Sequence, residues 1–417
     1  MTGKRKRKLA MPDTLIIVAS VVLLVAILSW IIPSGTYDYQ EMNINGRIRN
    51  VAIDGTYHTI DKSEVTTTGF LGFFSVLYRG CVEAADVIFM ILCCCGTFGV
   101  VVKTGAFHAG IGTILKKLKG KEILLVPIIM MIFGLGGSVF GMASEFYGFY
   151  PLIVGLGVAL GYDAMFGFAI IAVGEFVGFM GATLNPYSVG IAQTISGVEL
   201  YSGTGYRAIC FVIFMAISII YVMVYGRKIK KNPGASVVFG EKNIHAFDRD
   251  ELNEYSFTLK DGLVLLDVLV VLVVLMLGLI KWGWDFPQLC GLFLLMSMIA
   301  AAICKWSPNK WCSEFIDSAK TAMWGCILTG IAKAITVVMQ DAQIMDTVIY
   351  GLSNVLKNAP HAVSAQVMLV VQTLINFFIP SATGQASATM PIMAQLADII
   401  GVSRQTRDVV NVIARRT

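Results

Sequence analysis

Charge is scarce in this sequence. Asp, Glu, Lys and Arg make up 14% of its 417 residues, where a soluble domain carries roughly 25%. Hydrophobic residues make up 56%, so the chain cannot cover a water-facing surface. This excludes a soluble protein and points to a polytopic membrane protein. The nine Cys include no CxxC pair, and the four His form no HExxH-type arrangement or His/Cys pair at ligand spacing, so no metal is predicted. Cys93, Cys94 and Cys95 sit in one apolar run and point in three directions around a helix, as small buried hydrophobes do. There is no P-loop to bring in ATP. No nucleophile is paired with a base, and no intramembrane protease signature is present, so an enzyme is not predicted and no cofactor is called for.

The basic residues that are present cluster. Lys4, Arg5, Lys6, Arg7 and Lys8 precede the first apolar run. They fit a cytoplasmic anchor under the positive-inside rule better than a nucleic-acid contact. Thr14–Ile32 is too long for a signal-peptide core and lacks a small-residue cleavage site, so it is read as a spanning helix. Residues 34–70 are polar and read as an external segment. Further helices are expected at about 84–102, 145–160, 164–182, 206–225, 262–280, 288–304 and 321–339, with 364–379 an apolar lead-in to a later break. Gly157 and Gly161 are expected to serve close helix packing. Lys116, Lys117, Lys119 and Lys121 mark one cytoplasmic loop, and Arg227, Lys228, Lys230 and Lys231 mark another. The stretch 341–363 carries Asp341 and Asp346 but only Lys357 as a basic residue, and reads as an external loop.

One short phrase occurs twice. Ser138, Gly141, Ala143 and Ser144 line up with Ser381, Gly384, Ala386 and Ser387, each time after a long apolar run. Clustered Gly and Ser break helices. The loop 103–121 is basic and its counterpart 341–363 is not, so equivalent elements face opposite sides. Together these predict an all-α polytopic membrane protein built from inverted-topology repeats, with two re-entrant hairpins and a broken transmembrane helix. The expected division is a basic tail over 1–12, a first repeat over 13–226, a cytoplasmic linker over 227–260, an incomplete second repeat over 261–405, and a polar tail over 406–417.

A helix broken within lipid exposes N–H groups at one new end, which attract carboxylates, and carbonyls at the other, which attract cations. The predicted substrate contacts are therefore Ser138, Ser144, Ser381, Thr383, Gln385 and Ser387 at the two phrases, with Asn185 at a third break beside Pro186. Thr183, Asn185 and Thr389 are the predicted contacts of a coupling ion, Na+ or H+. Glu145 and Glu175 complete the substrate set, because a carboxylate at that depth is costly unless it serves a site. Asp267 and Lys333 are weaker candidates that can reach water or snorkel.

Three stretches carry a resemblance. Ala143–Pro151 (ASEFYGFYP), Gly181–Ala192 (GATLNPYSVGIA) and Asn376–Ala386 (NFFIPSATGQA) resemble the YfcC family, which is similar to four-carbon dicarboxylate anaerobic carriers and ArcD-type arginine/ornithine antiporters. The resemblance runs to about Gln405. It implies a bacterial inner-membrane secondary carrier of the ion-transporter superfamily, with its N-terminus in the cytoplasm. It further implies a scaffold part, a mobile part with two re-entrant hairpins, a homodimer and elevator motion. Family members continue with another helix, a second broken segment and a final helix, whereas this sequence ends Thr406–Thr417. A truncation or frameshift is the simplest account, with apolar surface exposed where those helices would pack.

The leading reading is a secondary transporter for a small amino acid, ion-coupled or exchanging, with Glu145 and Glu175 favouring a basic one such as arginine or ornithine. A four-carbon dicarboxylate is the alternative. Readings of other classes are a channel, a structural membrane subunit, or an inactive shortened carrier.

Overall fold

The computed structural model describes residues 13–44, 47–53, 55–110, 113, 122–239, 257–357 and 364–379, with single positions 382, 385, 386, 389, 390 and 393. The apolar runs form helices, and capping residues set many of their starts. Asp13 accepts the Leu15 N–H at 2.8 Å and opens α1 (Thr14–Ile31). Thr258 and Asp261 form a capping box at the start of a later helix, Leu259–Lys281. Five helices among the described residues are long and apolar enough to cross a bilayer: Thr14–Ile31, Ala85–Lys103, Thr204–Lys231, Phe286–Ile303 and Met323–Asp341.

The segment 34–70, expected to be external, is not simply loop. It holds β1 (Ser34–Thr36), β2 (Tyr39–Ile44), β3 (Arg47–Ala52) and β4 (His58–Ile60). β1 pairs antiparallel with β4, and β2 with β3, in register from Tyr39↔Ala52 to Ile44↔Arg47. Two helices also lie outside the expected set: α2 (Phe70–Glu83), and an amphipathic helix at Pro308–Lys320. The stretch 341–363 contains a further helix, Met345–Lys357, which corrects its reading as a loop.

The chain divides into two compact units. One takes residues up to Thr36, His58–Ile88 and Trp324–Val348. Within it, Ser34 Oγ donates to the Ala342 carbonyl at 2.6 Å, and Gly35 N–H donates to Gln343 O at 2.9 Å. Arg79 on α2 donates through both Nη atoms to the Asp341 carboxylate, at 2.5 and 2.9 Å. Below that fork the two helices nearly touch: a Cβ on Gly80 would lie 2.5 Å from Gly330 O and 2.7 Å from Ala334 N.

The other unit takes Tyr37–Tyr57, Phe89–Met323 and the chain from Ile349. It holds most of α3 (Ala85–Lys103), α4 (Leu125–Leu135), α5 (Tyr150–Ala159), α6 (Ala164–Met180), α7 (Ile191–Ser196), α8 (Thr204–Lys231), α9 (Leu259–Lys281), α10 (Phe286–Ile303) and α11 (Pro308–Lys320). α12 (Met323–Asp341) and α13 (Met345–Lys357) start one residue and four residues, respectively, before the boundaries between the units, and α14 (Ser364–Phe378) follows. α6 is the central rod: Phe166, Ile170, Ile171 and Val177 are buried in one apolar core with Met130 and Phe133 of α4 and Phe211 and Met215 of α8. A Cβ on Gly178 of α6 would lie 2.3 Å from Gly134 O of α4, so glycine allows this approach. Gly157 packs on Gly167, as expected of a close-packing residue. Gly161 does not: it has φ +82° in the turn before α6 and nothing within 4 Å, so its role is the turn.

Candidate functional site

The first break is built where α4 loses its regular ladder. Gly136–Phe140 forms a single π turn, and Gly141 closes it in the left-handed region at φ +70°. Met142 N–H bonds back to Gly136 O at 3.2 Å. Ser144 opens a 3-10 turn over Ser144–Phe149 that leads into α5; its side chain lies outside the described set. Phe146 and Phe149 hold that turn, with ring centroids 4.8 and 5.6 Å from Phe133. Glu145 folds back so that its Oε2 accepts the Ala143 N–H at 2.9 Å. The new N–H end is thus met by the chain's own carboxylate.

The third break follows α6. The helix ends at Met180, and Gly181–Asn185 runs irregularly. Pro186–Gly190 then forms a second π turn, which continues into α7. Asn185 organises this end: its Oδ1 accepts Tyr187 N–H at 3.0 Å and Ser188 N–H at 3.1 Å, and its amide donates to Gly137 O at 3.0 Å. Ruptured backbone in lipid must find partners, and here each break supplies the other's. Ser138 O accepts Thr183 N–H at 2.9 Å and Leu184 N–H at 3.3 Å. Ser138 Oγ donates to Gly181 O at 3.0 Å and lies 3.1 Å from Thr183 Oγ1.

Glu175 sits on α6 two turns before this knot and is buried. Its Oε2 accepts the Tyr150 hydroxyl at 3.3 Å. Thus Ser138, Glu145, Glu175, Thr183 and Asn185 all belong to one continuous region of α4, α5 and α6, although Ser138 and Thr183 are 45 residues apart in sequence.

The second phrase is described at fewer positions. Ser381, Thr383 and Ser387 lie outside the described residues, as do the basic clusters at 4–8 and 116–121 and the tail 406–417. Gln385 and Thr389 are fully buried. Gln385 Nε2 donates to Gln372 Oε1 at 2.7 Å and to Gln372 O at 2.9 Å; Gln372 Nε2 donates to Thr389 Oγ1 at 3.3 Å; Thr389 Oγ1 donates to Gln385 O at 2.8 Å. Beside this ring, Ala386 and Met390 share a buried apolar cluster with Ile191 and Ala192 of α7 and Val51 of β3. The second phrase therefore packs against the helix that leaves the third break. Two buried oxygens in this region, Ser188 Oγ and Gln385 Oε1, have no hydrogen-bond partner among the described residues.

The profile of the C4-dicarboxylate anaerobic carrier family (DcuC) matches residues 11–410. The chain belongs to this family. This DcuC-family chain is 32% identical over 438 residues to "Putative basic amino acid antiporter YfcC" of Escherichia coli (strain K12), covering 97% of its own length and 86% of the relative's. It is 28% identical over 444 residues to an uncharacterized protein of Haemophilus influenzae (strain ATCC 51907 / DSM 11121 / KW20 / Rd), covering 96% of the chain and 87% of that protein. Among solved structures, MtrF of Neisseria gonorrhoeae, from a class of antimetabolite efflux pumps, aligns at 15% identity and TM-score 0.45, covering 98% of this chain and 85% of that one. The DcuC-family chain is a multi-pass helical membrane protein of a transporter family.

Sequence reading missed two residues of this site in the DcuC-family chain. Gln372 stands in the apolar lead-in 364–379, where no motif singles it out. Arg207 stands near the start of the apolar run 206–225, where no motif singles it out. It is 2% exposed, and donates to Ser202 O at 2.9 Å, to Thr183 O at 3.2 Å and to Thr204 Oγ1 at 3.2 Å. A buried guanidinium thus holds an unwound carbonyl of the third break. The weaker candidates stand apart: Asp267 Oδ2 is buried on α9 with no hydrogen-bond partner among the described residues, and Lys333 is half-buried on α12.

Proposed function

We propose that this chain is a secondary carrier, not an enzyme, for a small amino acid, most favourably a basic one such as arginine or ornithine. It exchanges that substrate for another or couples its movement to Na+ or H+. The observation that carries this reading is the pairing of Ser188 Oγ and Gln385 Oε1 with a shared apolar contact. Both oxygens are buried without partners on segments that pack together at Ile191, Ala192, Ala386 and Met390. An unsatisfied buried polar group costs about 1–3 kcal/mol, and a bound substrate offering donors would relieve that cost. An α-ammonium or a guanidinium is such a donor.

Glu145 and Glu175 supply negative charge to a cationic side chain. The substrate carboxylate competes with Glu145 for the Ala143 N–H end. Ser138, Ser144, Asn185, Ser381, Thr383 and Ser387 are the further substrate contacts of this reading, and Thr183, Asn185 and Thr389 its contacts for a coupling ion. Ion binding there requires these hydroxyls to exchange their present protein partners, and this ties binding to motion of the breaks. The setting is the bacterial inner membrane with a cytoplasmic N-terminus, in a homodimer of inverted repeats.

A four-carbon dicarboxylate is the second reading. Arg207 favours it, because its buried positive charge lies against the third break, and the family's description points the same way. Proteoliposomes preloaded with unlabelled substrate decide between the two. Uptake of labelled arginine or ornithine in exchange, without succinate uptake, is expected. Succinate exchange without arginine exchange would reverse the order, and non-saturating flux of both would indicate a pore. Glu175→Gln is expected to raise the KM for a basic substrate at least tenfold; an unchanged KM removes Glu175 from the substrate set.

A further inference from the structure

A second polar cluster lies away from the breaks, where α9 begins and α10 ends. α10 finishes at Ile303 with a glycine-type ending: Lys305 N–H bonds to Ala302 O at 2.9 Å and Trp306 N–H to Ala301 O at 3.0 Å. The residue in the left-handed position of this motif is Lys305, at φ +54°. Glycine fits that position without strain, yet a long cation occupies it.

Two more ammoniums share the spot. Lys310 Nζ sits 4.3 Å from the centroid of the Trp306 ring. Lys260, in the first turn of α9, and Lys310 both act electrostatically on the Cys304 thiol, with Asp261 acting in the opposite sense, and Lys305 follows Cys304 in the chain at the end of α10. The acidic side chains nearby are engaged. Asp261 Oδ2 accepts the Thr258 N–H at 2.9 Å and its hydroxyl at 2.5 Å. Glu314 is paired with Lys103 at 2.8 Å, and Asp317 with Lys320 at 2.7 Å. Lys260, Lys305 and Lys310 are all exposed, and none is in an ion pair among the described residues.

The adjoining surface is greasy. α9 exposes Leu259, Leu263 and Leu266, and α10 exposes Leu295, Met298 and Ile299. Three cations and an indole above an aliphatic wall match, part for part, an anionic phospholipid: phosphodiester at the lysines, glycerol at Trp306, acyl chains along α9 and α10. We infer that Lys260, Lys305, Lys310 and Trp306 form a binding site for the headgroup of an anionic phospholipid.

The test uses the purified full chain in neutral detergent, with native mass spectrometry to count retained lipid and titration to give its affinity. Phosphatidylglycerol is expected to bind at least fivefold more tightly than phosphatidylcholine. The variant Lys260→Gln/Lys305→Gln/Lys310→Gln is expected to lose that preference. Lys305→Gly alone separates charge from folding: it relieves the left-handed backbone, so thermal stability in lipid-free detergent holds or rises while phosphatidylglycerol affinity falls. Equal affinity for both lipids, or a Lys305→Gly protein that keeps the full preference, overturns the site. Displacement of the lipid by sn-glycerol 3-phosphate at equal concentration overturns the lipid assignment in favour of a soluble phosphate.

Discussion

Asn185 uses all of its side chain's reach in one place. Its oxygen takes the N–H groups of Tyr187 and Ser188, and its amide takes the Gly137 carbonyl, so one residue closes the third break and ties it to the first. Asn185→Ala strands three backbone groups, two of them buried and one part-buried. At about 1–3 kcal/mol for each unsatisfied group, with partial relaxation, the expected cost is about 3 kcal/mol, visible as a lower unfolding midpoint in detergent. Asn185→Asp keeps the cap on Tyr187 and Ser188 but faces Gly137 O with an acceptor, so it should be milder in stability and still poor in transport. Equal stability of wild type and Asn185→Ala would contradict the geometry. Arg207 is read the same way. Arg207→Met leaves Thr183 O and Ser202 O short of donors, and is expected to lower the maximal rate more than Arg207→Lys, which keeps a charge that can reach one carbonyl. If the two variants transport alike, the guanidinium fork is not what holds the break.

At the scale of elements, α2 and α12 test how close two helices must come. The Gly80 Cα hydrogen faces the Gly330 carbonyl and the Ala334 backbone, so a methyl there has no flexible neighbour to displace. Gly80→Ala is expected to destabilise by about 1–3 kcal/mol, the usual range for overpacking, as a fall in thermal midpoint of the purified protein. The ion pair above it is a weaker fastening. Arg79 and Asp341 are partly exposed, with side chains 46% and 17% accessible, and such pairs contribute about 0–1 kcal/mol. Asp341→Asn should therefore cost less than Gly80→Ala; the reverse order would mean that the fork rather than the packing holds these helices together. α2, α11 and α13 escaped sequence reading for a common reason. Each is too short to span a bilayer; α11 and α13 also interleave polar residues that resemble loop, whereas α2 is apolar and exposes Phe70, Leu71, Phe74 and Tyr78. The strands of 34–60 escaped because polar residues with turn formers give no clean alternation.

For the whole molecule, topology is the expectation most open to measurement. With the N-terminus in the cytoplasm and the strand segment outside, a single cysteine at Thr59 of β4 should react with a membrane-impermeant maleimide in intact cells. The native Cys312 on α11, which is exposed, should react only after permeabilisation. Labelling of both from outside would refute the assigned sidedness. Composition made the membrane reading legible, because 14% charge leaves no other solvent in which this chain is stable. The repeated phrase made the first break legible, since Gly136, Gly137 and Gly141 mark a failing helix wherever it lies in space.

The sequence by itself determined the two described ruptures, after α4 and after α6, and that the chain would live in lipid, because helix propensity and hydropathy are local sums over a few residues. It could not tell which ruptures would meet. Ser138 with Thr183, Arg207 beneath the third break, and Ala386 against Ile191 were decided only by the tertiary structure. In a bilayer every freed N–H and carbonyl must find a partner, and that partner is chosen by helix packing, over distances no local pattern encodes.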